Sequence, residues 1–360
     1  MKKKPASAAD DARETLRSRV LAELSAEVPE GDVKSFFSRD GRFALLTDAA
    51  DATDRTNEVY VDFSSDEPLR LPLEIYVGRR RVIAGTWQTD VWADGQKLDA
   101  TGSWQTLCEE IDGDGAFAER LLTLSDGRSL SRRLFVACKE KLFLNVDVLY
   151  GSDAERANVE SCSPTVATNA ENCLRTGATN AQTSAPVLRL RSLFPLDPAE
   201  ASISQDVSTK AFAFCDIVPN SAPFARVFPF SATERQADAT SGTFAVKTIY
   251  GGVLETAARR RGGALCVATL FDWNASRATR PVNVGVATVG ENLRAVDDGR
   301  AVGRQILLGR ERYVLYVSTS RRPAIRSILS RNLLSDFMFG KFFVGRGVVP
   351  LVDVEIPEDF

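Results

Sequence analysis

Residues 7 to 27 carry apolar side chains at helical spacing. Ala12, Leu16, Val20, Leu21 and Leu24 return on one face, and arginine and glutamate fill the other. Ser7 or Asp10 is placed to cap the start of this predicted helix, and Pro29 and Gly31 stop it. After Gly31 the period changes from helical to two. In Asn57–Phe63, Val59, Val61 and Phe63 share a face; in Thr86–Trp92, Trp87, Thr89 and Val91 oppose Gln88, Asp90 and Trp92. Alternation of this kind predicts strands with one buried face.

Strands are expected over 42–47, 58–63, 69–77, 81–92, 104–111, 117–124, 131–138 and 141–149. Asp94-Gly95 and Asp126-Gly127 read as hairpin turns. Residues 151–186 lose the periodicity and are rich in Ser, Thr, Asn and Ala, as an insertion or link would be. Strand runs resume at 186–194, 211–218, 225–230, 242–250, 252–257, 264–271, 281–289, 303–308 and 311–318. A short helix over Asn332–Phe339 and a last strand over Val348–Ile356 close the chain. These elements predict an all-β fold, a large antiparallel β-sandwich with an N-terminal amphipathic helix. The organisation expected is a helical arm over 1–30, a first sandwich half over 31–155, a polar segment over 156–186 and a second half over 187–360. Neither a propeller repeat nor the strand–helix alternation of a dinucleotide-binding fold is present.

The chain has 360 residues, 44% hydrophobic and 26% charged, ample for a sizeable core. Composition changes the picture most through histidine, of which there is none. That excludes Ser-His-Asp and Cys-His nucleophilic catalysis and histidine-ligated zinc or iron. Asp, Glu, Lys, Tyr, Cys and Arg remain as acids and bases. A net charge of −3 argues against a nucleic-acid partner. Apolar stretches such as 263–271 and 342–352 are too short or interrupted to span a bilayer, so no membrane partner is expected. With no apolar stretch after Met1-Lys2-Lys3-Lys4, a cytoplasmic location is expected. Cys108, Cys138, Cys215 and Cys266 sit in apolar runs and read as core thiols, whereas Cys162 and Cys173 share the polar segment and could pair only in an oxidising compartment.

The text from Arg120 to Leu149 runs Arg-Leu-Leu-Thr-Leu, Asp-Gly-Arg, Leu-Ser-Arg-Arg-Leu-Phe-Val-Ala and Lys-Leu-Phe-Leu-Asn-Val-Asp-Val-Leu. It resembles the β-domain of bacterial heparinase II/III-type proteins, with Arg132 or Arg133 and Asp147 at the matching positions. Residues 309–316 are similar to later strands of the same sandwich. The resemblance implies a carbohydrate-related role. The family's polysaccharide lyases join this sandwich to a helical toroid and are implied to use Tyr and His. This chain has one long helix before the sandwich and no histidine, which implies a lone module without the lyase machinery.

Several residues could contact a glycan. Trp87, Trp92 and Trp104 lie close in sequence and could stack on sugar rings, and the opposed parity of Trp87 and Trp92 lets at most one of those two face outward. Arg79-Arg80-Arg81 and Arg259-Arg260-Arg261 could hold a sulfated or uronic sugar, or could protect strand edges by charge. Asp62, Glu74, Glu109, Asp147, Asp216 and Asp272 are strand-borne carboxylates, and Asp272 before Trp273 is the leading candidate for paired-carboxylate chemistry. Candidate ligand contacts are thus Trp92, Trp104, Arg132, Asp147, Asp272 and Trp273, with the catalytic residues unassigned. The acidic run Glu109–Gly115 departs from a calcium-loop pattern and reads as a hairpin turn. No cofactor and no metal is expected, since no phosphate-cradling or acyl-enzyme motif occurs. The expectation is a carbohydrate-binding sandwich. The alternatives are a Tyr- and carboxylate-dependent polysaccharide-degrading enzyme, and an assembly module that meets a protein partner through the N-terminal helix.

Overall fold

The computed structural model describes residues 15–25, 36–39, 42–46, 57–112, 115–151, 186–197, 202–206, 211–216, 221–232, 244–249, 253–320 and 324–355. Cys162 and Cys173 lie outside them, as do Ser7, Asp10 and Ala12 of the predicted helix. Within the described part of the predicted span the helix is α1 (Leu16–Ser25). Thr15 caps it, its Oγ1 accepting the Ser18 N–H at 3.1 Å.

All strand pairing is antiparallel. The first sheet runs β1 (Phe36–Arg39), β2 (Arg42–Leu46), β3 (Asn57–Asp62), β4 (Arg70–Val77), β5 (Arg80–Ala93), β11 (Val187–Pro195), β16 (Val253–Arg261), β15 (Phe244–Ile249), with β6 (Gln96–Leu98) on β5. The second runs β12 (Ser202–Asp206), β13 (Ala211–Cys215), β14 (Pro223–Ser231), β17 (Leu265–Asp272), β10 (Leu142–Leu149), β9 (Ser129–Ala137), β8 (Gly115–Thr123), β7 (Gln105–Asp112). Each of these sheets joins a block of strands from before the polar segment to a block from after it, at β5–β11 in the first and β10–β17 in the second. The third sheet, β18 (Val282–Val286), β21 (Ala301–Leu308), β22 (Glu311–Ser318), β25 (Ser335–Phe343), β26 (Gly347–Glu355), belongs to the later chain alone. So does the small fourth sheet, β20 (Arg294–Ala295), β19 (Val289–Glu291), β23 (Arg326–Ile328), β24 (Arg331–Leu333).

Three apolar seams stack these sheets. Trp87, Val91, Leu134 and Phe271 fill the first seam, between the first and second sheets. Phe135, Val146, Leu315 and Phe339 fill the next, and Val289, Val314, Ile328 and Met338 the last. The second sheet is therefore covered on both faces. Every residue of β10 and β17 is buried, as expected of a strand with no solvent face. The expected short helix at 332–339 is instead β24 and the start of β25. Phe337 and Phe339 enter one seam and Met338 the next, so period two governs a segment that is apolar on both sides. α1 lies on the outer face of the first sheet, with Leu16 and Val20 packed on Tyr60 and Tyr76. No helix among the described residues is long and apolar enough to cross a membrane.

Candidate functional site

Five of the six candidate contacts are interior. Arg132 on β9 and Asp147 on β10 face each other across the register, with Arg132 Nε 2.8 Å and Nη2 3.2 Å from the two carboxylate oxygens. Both are buried, and the guanidinium stacks 3.5 Å from the Trp87 ring centroid and donates to Thr89 Oγ1 at 2.8 Å. This clamp ties the first sheet to the second. Trp104 donates its indole N–H to the Pro68 carbonyl at 2.7 Å and packs edge-on against Phe63. Trp273 stacks on Phe143. Asp272 is fully buried between Arg226 and Arg277, whose Nη2 atoms each lie 2.9 Å from it. Burial disfavours the Arg277 charge, but Asp272, Tyr313 and Glu311 outweigh it and raise its pKa. These groups are buried and brace the interior.

The tyrosines follow the same rule. Tyr60, Tyr76, Tyr150, Tyr313 and Tyr316 are all buried. Burial pushes the Tyr313 pKa up, and its hydrogen bond to Glu140 pushes it further, so its hydroxyl keeps its proton.

Trp92 is different. Its parity, opposite to Trp87, puts it half-exposed on the outer face of the first sheet, beyond the part that α1 covers. The register then builds a row. Lys97 of β6 pairs with Trp92 of β5, Trp92 with Arg189 of β11, and Arg189 with Arg259 of β16. Three strand spacings make the row about 14 Å long. The Arg189 guanidinium lies 4.7 Å from the Trp92 centroid and that of Arg191 lies 5.4 Å away. Trp92, Asp94, Gly95, Val187, Arg189 and Arg259 line an open groove of about 660 Å³.

Asp90, buried beneath the row, orders its edge. Its carboxylate takes Lys97 Nζ at 2.9 Å, Arg191 Nε at 3.0 Å and Gln88 Nε2 at 3.1 Å. Burial raises its pKa, but Lys97, Arg191 and Gln88 prevail and hold it below the usual carboxylate range. Arg189 and Arg259 have no such partner: among the described residues neither pairs with a carboxylate. Two arginines directly opposite on neighbouring strands repel. By contrast Arg80 pairs with Asp216 and Arg81 with Asp197, so the other arginine triplet is largely neutralised.

Of the row, Trp92 and Arg259 are foreseen from sequence, whereas Lys97, Arg189 and Arg191 are not. The signal for the last two is the alternation Val187-Leu188-Arg189-Leu190-Arg191, which sets both arginines on the polar face. Of the acidic run, residues 109–112 lie on β7, and Asp112 pairs with Gly115 at the start of β8. No group of three or more metal-ligating side chains occurs among the described residues.

The stacked sheets match solved structures. A heparan sulfate lyase, HepC from Pedobacter heparinus, aligns over 84% of this chain and 47% of its own, with a TM-score of 0.50 and 9% identity. The chain shares its fold with a heparan sulfate lyase. A mutant of the same lyase aligns at TM-score 0.49 and 10% identity over 84% of this chain and 47% of its own. A heparinase III aligns at 0.48 and 12% identity over 81% of this chain and 43% of its own. This chain thus spans about half the length of the lyases it matches. No protein-family model and no curated protein matches the chain.

Proposed function

We propose that the protein binds an acidic polysaccharide along the Trp92 row and does not cleave it. The observation that carries this reading is the pairing of Arg189 with Arg259 beside a half-exposed Trp92, with no carboxylate to neutralise either arginine among the described residues. An anionic sugar relieves the repulsion, the guanidinium forks suit carboxylate or sulfate, and the indole offers a face to the ring. The fold match to a heparan sulfate lyase is compatible with this ligand class. Against cleavage, the described tyrosines are buried, Asp90 is bound to its cations in the ionised form, and Asp94 on the groove lining accepts the Val187 N–H at 2.8 Å, so the lining offers no pair of carboxylates.

The test is a thermal-shift and titration series with a sulfated glycosaminoglycan, an unsulfated polyuronate and a neutral glucan, followed by a product assay. A ligand at a hundredfold its Kd adds about 2.7 kcal/mol to stability. The expected result is a shift with the acidic polymers, weakened by salt, with no new chain ends. No shift with any polymer overturns the reading, and unsaturated or reducing ends appearing on incubation overturn its non-catalytic part.

A further inference from the structure

At one end of the third sheet, two turns project side by side. The β25–β26 hairpin closes at Phe343 opposite Gly347, and the β21–β22 hairpin closes at Leu308 opposite Glu311. The register of β22 with β25 sets these turns at the same end. Val344 at the first tip is 91% exposed and Phe343 41% exposed, so two neighbouring large apolar side chains face water at a protrusion. Gly345 and Gly347 supply the positive φ that the tight turn requires.

The surroundings are basic. Arg310, Arg312 and Arg346 are exposed. Arg280, also exposed, abuts Gly309 of the second turn. The acids at this end are already engaged: Lys341 Nζ lies 3.0 Å from Glu140 and 2.7 Å from Glu311, and Arg277 also reaches Glu311. The surplus at the tip is therefore positive.

We infer that this end of the molecule docks on an anionic lipid surface, with Phe343 and Val344 entering the headgroup boundary and Arg310, Arg312 and Arg346 meeting lipid phosphates. Apolar tips flanked by arginine fit the interface of a bilayer, where the stems lie in the apolar zone and the charges stay in water. A soluble polyanion would use the arginines alone and leave the apolar pair in water. The expectation of no membrane partner rests on the lack of a spanning stretch, and a two-residue tip is invisible to that criterion.

The full chain is to be sedimented with vesicles of phosphatidylcholine and phosphatidylserine, and with phosphatidylcholine alone. Preferential pelleting with the anionic vesicles is expected. Phe343→Ser/Val344→Ser, at a surface tip that leaves folding intact, weakens it about tenfold or more. Each of Arg310→Glu, Arg312→Glu and Arg346→Glu weakens it at least about fivefold. Phe343→Trp reports a blue-shifted emission on the anionic vesicles, and Trp92→Ala binds them as the parent does. Failure of the parent chain to pellet with anionic vesicles overturns the proposal. So does full binding by the double serine variant alongside loss in the glutamate variants, which marks a polyanion site instead.

Discussion

Among the described residues, Arg132 and Arg189 lie over different tryptophans and do opposite work. Arg132 lies 3.5 Å from the Trp87 centroid, fully buried, with both carboxylate oxygens of Asp147 committed to it. Arg189 lies 4.7 Å from the Trp92 centroid, exposed, opposite a second arginine and without an acid among the described residues. Trp87 and Trp92 stand five residues apart on one strand, so odd spacing alone sends one inward and the other out. Satisfied charge marks structure, and unsatisfied charge on an open face marks a place for a ligand.

Identical substitutions at the two arginines expose the difference. Arg132→Met strands the buried Asp147 without its cation and costs about 3–5 kcal/mol. Arg189→Met leaves stability within about 0.5 kcal/mol of the parent, or raises it slightly by removing the repulsion with Arg259. Urea unfolding followed by circular dichroism reads both. Equal losses in the two variants would erase the distinction. Adding Asp147→Leu to Arg132→Met is expected to restore part of the loss, because the uncompensated charge and not the missing contact dominates it.

The tryptophans sharpen the contrast at the level of binding. Trp87→Ala opens a cavity between two sheets and costs about 3–5 kcal/mol of stability. Trp92→Ala leaves the unfolding midpoint close to the parent and weakens an acidic polysaccharide about tenfold, as titration calorimetry would show. An unchanged affinity in Trp92→Ala would move the ligand away from the row.

How much of this was readable beforehand follows from the same geometry. Strand positions and the all-β class come from alternation, and the parity of Trp87 and Trp92 needs only counting. The stacking of sheets does not, because pairing decides which face of a strand is covered. In β9, Arg132 points to the first sheet and Arg133 to the third, where it meets Asp336, with Glu119 of neighbouring β8 beside it. Adjacent arginines in a sequence give no sign that both are buried. Asp272 reads as a candidate for paired-carboxylate chemistry until Arg226 of the neighbouring β14 and Arg277, five residues on, enclose it. The row itself is assembled by register across four strands, and β6 is separated from β16 by more than 150 residues.

The smallest expected effect concerns pH. The chain has no histidine, so no imidazole titrates beside the row between pH 5 and 8, and a guanidinium is charged throughout that range. Binding of a sulfated polymer, whose own charge is fixed, is therefore expected to stay flat across that range. Asp90 titrates lower. Its folded pKa is depressed, so the unfolded chain takes up the proton first as pH falls. Its contribution is complete above the unfolded value of about 4 and is lost as pH falls through the folded one. Asp90→Asn removes this dependence, and in the variant Lys97 and Arg191 lose their common anchor. Melting temperatures of parent and variant, measured from pH 7 downwards, are expected to converge below pH 4. Curves that stay parallel to the lowest pH would show that Asp90 does not order the edge of the row through its charge.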